Sequence, residues 1–204
     1  MNSRIPEKLN RLTILPRASF VPQPWKNGGG TTFEAIRLPL KGDPFLWRVS
    51  LAQIASSGPF SDFNGYQRSM VLLQGPGIAL EFGNGERRVL REAGDWLQFD
   101  GGIPVHCALL DGPCMDLNLM VSKALRTAAR IEQLRGNSAV DAAPGQTTLI
   151  FSLHEPVSID AATGESVRLE PWDLALLSHS SARLNRIMPH KPATTAVFIA
   201  TISQ

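Results

Sequence analysis

The sequence predicts an all-β protein built from sandwiches or barrels, and three observations carry that expectation. Apolar runs along the 204 residues are short and separated by Gly, Pro, Asn or Asp, the pattern of strands joined by tight turns. Gly (17) and Pro (15) are abundant while apolar residues still make up 43% of the chain, so it can turn often and bury a sizeable core. Two weakly alike segments, Gly94–Phe99 and Pro171–Leu176, each open an apolar strand with an Asp after a turn. They lie about 78 residues apart, a spacing that fits two related barrels.

In chain order, the expected strands of the first half are Arg11–Leu15, Thr32–Arg37, Leu46–Ile54, Met70–Leu73, Gly77–Phe82, Arg87–Leu90, Asp95–Phe99, Val105–Leu110 and Met115–Met120. Those of the second half are Thr148–Leu153, Ser166–Leu169, Leu174–Ser178, Ala182–Ile187 and Thr195–Ile202. Gly75-Pro76-Gly77, Gly83-Asn84-Gly85 and Gly101-Gly102 supply the backbone freedom for reversals. One short helix is expected over Lys123–Leu134, with Ser122 as its cap and Gly136 past its end. Asn137–Gln146 is polar, contains Pro144-Gly145, and is expected to be a surface loop. The chain therefore divides into an N-terminal half, residues 1–121, and a C-terminal half, residues 122–204, with an approximate boundary and strands open to exchange between the halves.

Composition narrows the function. The net charge is +2 and Lys and Arg are scattered without a basic stripe, which argues against nucleic acid as the main ligand. Met1–Lys8 has no apolar core of the kind a signal peptide carries. No apolar run approaches the roughly 20 residues that span a membrane. A cytoplasmic location is expected. Cys107 and Cys114, seven residues apart and without a secretory segment, are expected to be free thiols. Neither a G-x-S-x-G turn nor a phosphate-binding G-x-x-x-x-G-K-[ST] loop is present.

The most specific segment is Pro24-Trp25-Lys26-Asn27-Gly28-Gly29-Gly30-Thr31-Thr32-Phe33-Glu34. It resembles the N-terminal motif of the HutD family, which includes the Ves proteins. More of that family's pattern follows in order. Trp47-Arg48-Val49-Ser50 is similar to its W-R-hydrophobic-S strand, Gly58-Pro59-Phe60-Ser61 to its next turn, and Tyr66-Gln67-Arg68 to the lead into a further strand. Asp116-Leu117-Asn118-Leu119-Met120 resembles its D-x-N-x-M segment. The matches span about residues 11 to 121, and the second half matches more loosely, as a degenerate barrel. The resemblance implies a double cupin (bicupin) fold. It implies a role in tuning histidine utilisation rather than running one of its steps, with a degradation intermediate such as formiminoglutamate or urocanate as ligand. Cupins often pair, so a homodimer is also implied.

Metal-dependent cupins place two His one residue apart, a Glu a few residues on and a third His on a later strand, a donor set suited to iron or manganese. The four His here, His106, His154, His179 and His190, show no such spacing. Gly94–Gly102 resembles the later cupin motif, with Val105 or the neighbouring His106 where that motif has its His. No metal and no cofactor are expected. His106 keeps two readings, a hydrogen-bonded strand residue or a ligand contact. The other three read as loop or strand-edge residues.

Strand parity points to a ligand site. In Leu46–Ile54, Arg48 and Ser50 share a face with Leu46, Ala52 and Ile54, and an Arg among aliphatic residues is costly to bury unless it meets an anion. Asp116, Asn118 and Met120 share one face of their strand, either solvent-exposed or lining a pocket. Arg68 opens the strand Ser69–Leu73 and is a candidate to point into the same mouth. Lys26 and Asn27 lie on the Gly-rich loop, whose Gly28, Gly29, Gly30 and Thr31 form either a structural turn or a ligand-facing backbone. Lys26, Arg48 and Arg68 would supply positive charge; Asn27, Ser50, Asp116 and Asn118 would supply other hydrogen-bond partners. Trp25, Trp47 and Tyr66 are candidate walls. Such a set suits formiminoglutamate, because Arg grips carboxylates with paired hydrogen bonds and Asp accepts from the formimino nitrogens.

Three functions fit. The favoured one is metal-free binding of a small pathway acid for regulation. The second is a metal-independent cupin enzyme, an isomerase or hydrolase of a small carboxylate, using His106 or Asp116 as acid or base. The third is an interaction protein with a vestigial pocket. Catalytic residues cannot be named, because no convincing acid–base pair is visible.

Overall fold

The computed structural model describes residues 12–125, 130–134, 138–142, 145–160, 166–178, 183–189 and 197–203. They form two compact units. One is Phe20–Ala124; the other combines the described residues of Met1–Ser19 with those of Leu125–Gln204.

The Phe20–Ala124 unit is a sandwich of two antiparallel sheets. The larger has six strands in the order β2 (Val21–Pro24), β3 (Gly30–Leu38), β4 (Trp47–Ile54), β11 (Cys114–Ser122), β6 (Tyr66–Gln74) and β9 (Trp96–Asp100). The smaller runs β5 (Gly58–Pro59), β10 (Val105–Leu109), β7 (Ile78–Phe82) and β8 (Arg87–Leu90). One apolar cluster joins the two sheets: Ile54, Met70, Leu72 and Cys114 from the larger, Ile78, Leu80 and Cys107 from the smaller. Prolines at positions 22 and 24 are tolerated in β2 because it is an edge strand, where a missing N–H breaks no interior ladder.

The second unit repeats the plan. Its five-stranded sheet runs β1 (Thr13–Leu15), β17 (Leu174–Ser178), β14 (Gln146–Ser152), β19 (Val197–Ser203) and β12 (Arg130–Leu134). Its four-stranded sheet runs β13 (Ser138–Ala142), β18 (Arg183–Pro189), β15 (Val157–Asp160) and β16 (Ser166–Leu169). The early strand β1 pairs with β17, Ile14 opposite Ala175, and is followed by a 3-10 turn at Arg17–Ser19.

The two hexamers that suggested a repeat make the same turn. Asp95 donates its amide to the Glu92 carbonyl, and Asp173 does so to Glu170 (2.9 and 3.1 Å). Gly94 and Trp172 hold equivalent positions: each has positive φ, and each donates its amide across to a sheet strand, to Leu72 and Ser152 (2.8 Å in both).

Two expectations are corrected. Lys123–Leu134 is not a helix: Lys123 and Ala124 turn, and Arg130–Leu134 is a strand with Arg130 opposite Thr201. Residues 126–129 lie outside the described residues. Helix propensity is a weak prior, and pairing with β19 satisfies the backbone of this segment. Nor is Asn137–Gln146 a loop throughout, since Ser138–Ala142 pairs with β18. Strands β2, β5 and β15 were not expected from the apolar pattern. His179 and His190, with Arg11, Ala182, Thr195 and the first ten residues, lie outside the described residues. No helix is long and apolar enough to cross a membrane among the described residues.

Candidate functional site

Three neighbouring strands of the six-stranded sheet build the site row by row. Across β4, β11 and β6 the facing residues are Ala52, Asp116 and Leu72, then Ser50, Asn118 and Met70, then Arg48, Met120 and Arg68. Side chains that face each other across adjacent strands share one side of the sheet. Here that side is apolar at one end, where Ile54, Leu72 and Cys114 join the core, and polar at the other. A bulge between Met115 and Asp116 shifts the register with β6 at the point where the change occurs.

The polar end opens into a cavity of about 480 Å³. Arg48, Ser50, Arg68, Asp116 and Asn118 line it, with Trp25, Lys26 and Asn27 contributed by the loop before β3. Parity had left the Asp116 face open to either solvent or a pocket; Asp116 is fully buried and Asn118 is 4% exposed.

Arg68 is the best-held cation. Its Nη2 donates to Asn118 Oδ1 at 2.9 Å, and Asn118 Nδ2 donates in turn to Asp116 Oδ1. Its Nε has no partner. Burial lowers the Arg68 pKa to about 10 against the opposing pull of Asp116, so it remains a cation at neutral pH. Among the described residues Arg48 Nη2 donates only to the Met120 sulfur, at 3.4 Å, and burial lowers its pKa too. Among the described residues neither guanidinium stands in an ion pair. Aromatic rings cover them instead: Phe45 and Phe63 lie beside Arg48, and Phe60, Phe63 and Phe99 beside Arg68, all within 5.0 to 5.4 Å.

Among the described residues Asp116 is the one carboxylate in the lining. Burial raises its pKa to about 7, although Arg68 and the Asn118 hydrogen bond pull it down. Its Oδ2 is buried without a partner.

The Gly-rich loop is a structural turn. Gly29 donates to Asn27 Oδ1 at 3.0 Å and its carbonyl accepts from Ala55 and Ser56. A Cβ on Gly30 would overlap the Gln53 carbonyl, so only glycine permits this approach of the loop to β4. Neither the three glycines nor Thr31 lines the cavity; Thr32 does, and it accepts a 2.8 Å hydrogen bond from Trp25 Nε1. Trp47 is fully buried on the opposite side of β4. Tyr66 stands behind the wall: its hydroxyl donates to the Phe45 carbonyl at 2.9 Å and its ring packs on Phe45. His106 is exposed on β10 beside a second cavity of about 430 Å³, which shares Phe60 and Arg68 with the first. His154 is exposed.

Sequence reasoning missed Phe60 and Phe63 in the cavity wall. Both fall in the segment between β5 and β6, where no periodicity assigns a face. The signal available was the run of aromatic residues beside the motif arginines.

Among the described residues no three His, Cys, Asp or Glu side chains come together to hold a metal ion. The cavity's own charges are two guanidiniums and an ammonium against one carboxylate, a donor set that repels cations, so the ion of metal-dependent cupins does not fit here.

Comparison with known proteins agrees with this architecture. The HutD family model matches residues 17–194. An uncharacterised 21.2 kDa protein in the hutC 3′ region of Pseudomonas putida is 37% identical over 166 residues, covering 81% of this chain and 86% of that one. HutD from Pseudomonas fluorescens SBW25, solved in a formate condition, superposes with a TM-score of 0.81 at 30% identity, covering 95% of this chain and 99% of that one. An oxalate decarboxylase from Lactobacillus farciminis shares the fold alone, with a TM-score of 0.61 at 10% identity over 94% of this chain and 86% of that one. The fold is that of a double cupin, and a family match across most of the sequence, joined to a relative 37% identical over most of both chains, makes this protein a member of the HutD family.

Proposed function

We propose that the Phe20–Ala124 unit binds a small pathway acid without a metal, and that this binding regulates histidine utilisation. The observation that carries the proposal is the pair of cavity-facing guanidiniums, Arg48 and Arg68, with no ion-pair partner among the described residues and an unpartnered Nε on each. A cation is removed from water at substantial cost unless an anion repays it, and a carboxylate matches the guanidinium fork with paired hydrogen bonds. Formiminoglutamate suits the set best: its carboxylates would meet the arginines, and its formimino nitrogens would donate to Asp116 Oδ2. Urocanate is the alternative acid. The hut-region relative from Pseudomonas putida supports the link to this pathway.

The test is thermal unfolding against formiminoglutamate, urocanate, histidine, glutamate and formate, each with and without chelator. A ligand specific to the native state raises the midpoint with concentration. A rise with formiminoglutamate or urocanate that survives chelator is expected. No rise with any pathway acid, or one that needs metal, overturns the reading.

A second reading has one observation in its favour. Asp116 is a buried carboxyl in the cavity lining whose pKa burial raises to about 7, in the range that a metal-independent isomerase or hydrolase would need for its acid or base. Turnover of a bound acid, lost in Asp116→Asn with binding retained, would establish it.

A further inference from the structure

Phe63 touches both cavity cations. Arg48 Cζ stands 5.2 Å from its ring centroid and Arg68 Cζ stands 5.4 Å from it. Each guanidinium also has rings of its own, Phe45 for Arg48 and Phe60 and Phe99 for Arg68. Contact with aromatic rings does not use up a guanidinium's N–H donors, which act in its own plane and can still meet a carboxylate.

The backbone sets the coarse spacing of the two cations. Arg48 and Arg68 flank Met120 in one row, two strands apart, which puts their Cα atoms about 10 Å from each other. Side chains as long as Arg can swing widely on such a base. A ring shared by both guanidiniums removes that freedom.

We propose that Phe63 is a positioning residue that holds the Arg48 and Arg68 guanidiniums at one spacing, so that the cavity selects dicarboxylates by the distance between their two carboxylates. The proposal rests on the carboxylate-binding reading above and narrows it to doubly acidic ligands.

The test is calorimetric titration of the full chain with α,ω-dicarboxylates from malonate to pimelate, with acetate and formate as single-carboxylate probes. Wild type is expected to prefer one chain length and to lose about tenfold in affinity per methylene of misfit. Phe63→Leu is expected to flatten that preference to about threefold across the series, below the usual discrimination for a methylene. Affinity for acetate and formate, which need one Arg each, should fall less than affinity for the preferred dicarboxylate, because each Arg keeps another ring. Phe63→Trp, which restores a ring, should restore the preference. Phe63→Met replaces Phe63→Leu if the latter lacks a native unfolding transition. A chain-length preference unchanged in the ring-less variant overturns the proposal while carboxylate binding stands. Wild type that binds acids of every length equally also overturns the proposal alone, whereas wild type that binds none of the acids overturns the parent reading with it.

Discussion

The two units of this chain share a plan and differ in what fills it. Both are two-sheet antiparallel sandwiches, and both make the same turn, at Asp95 and at Asp173. In the Phe20–Ala124 unit, the buried polar residues include two ionisable ones, Arg68 and Asp116. In the other unit, the buried polar residues among those described are the hydroxyls Thr147, Thr148 and Ser152, and the cluster of Ile150, Val157, Ile159, Leu169, Ala175, Leu177, Ile187 and Ile199 is wholly aliphatic. Among the described residues the second sandwich buries no charged side chain. The cost of burying Arg68 in the first supports the ligand-binding proposal.

Four substitutions test that contrast. The largest effect is expected from Ile159→Ala, a cavity in the aliphatic cluster, which should lower stability by about 2–5 kcal/mol in denaturant titrations. It should leave carboxylate affinity unchanged; a parallel loss of binding would end the division of labour. Next is Asp116→Asn. A carboxyl raised in the fold from 3.8 to about 7 binds its proton more tightly when folded. Its contribution is thus fully present below about pH 4, declines as pH rises through the interval, and is gone above about pH 7, a change of up to about 4 kcal/mol. Unfolding midpoints from pH 4 to 7 should fall in wild type relative to Asp116→Asn, and parallel curves would refute the burial of an ionisable group.

Arg68→Met comes third. It should weaken formiminoglutamate binding about a hundredfold, near 3 kcal/mol, as expected for the loss of hydrogen bonds to a charged group. Its unfolding midpoint should be unchanged or raised, since an apolar side chain replaces a buried cation without an ion-pair partner. A steep loss of stability would make Arg68 a folding residue instead. The smallest effect belongs to Gly94→Ala, which forces a Cβ onto a residue with φ of 98° and should cost about 1 kcal/mol in thermal unfolding. The other unit accepts Trp172 at the equivalent turn with φ of 68°, so a neutral outcome at Gly94 would show that the turn itself tolerates side chains.

Much of the fold was legible without coordinates. Arg87–Leu90, Ser166–Leu169 and Leu174–Ser178 are strands with the bounds that turn residues and apolar runs implied, because a strand advertises itself through local alternation. Parity also placed Arg48 and Ser50 on one side of β4 and Asp116 and Asn118 on one side of β11, since the period of two is a property of the strand alone. What parity lacks is the identity of the neighbour. That β4 and β6 both flank β11, bringing Arg48 and Arg68 into one row with Met120, is a matter of sheet order between segments far apart in sequence. The same holds for Arg130–Leu134, whose helical composition yields to pairing with β19, and for Phe63, which carries no periodic signal yet stands within 5.4 Å of both cavity arginines. Composition and local period determined that the chain is all-β and which residues share a face. Only the tertiary structure decided which faces meet, because pairing and burial depend on contacts that no window of sequence contains.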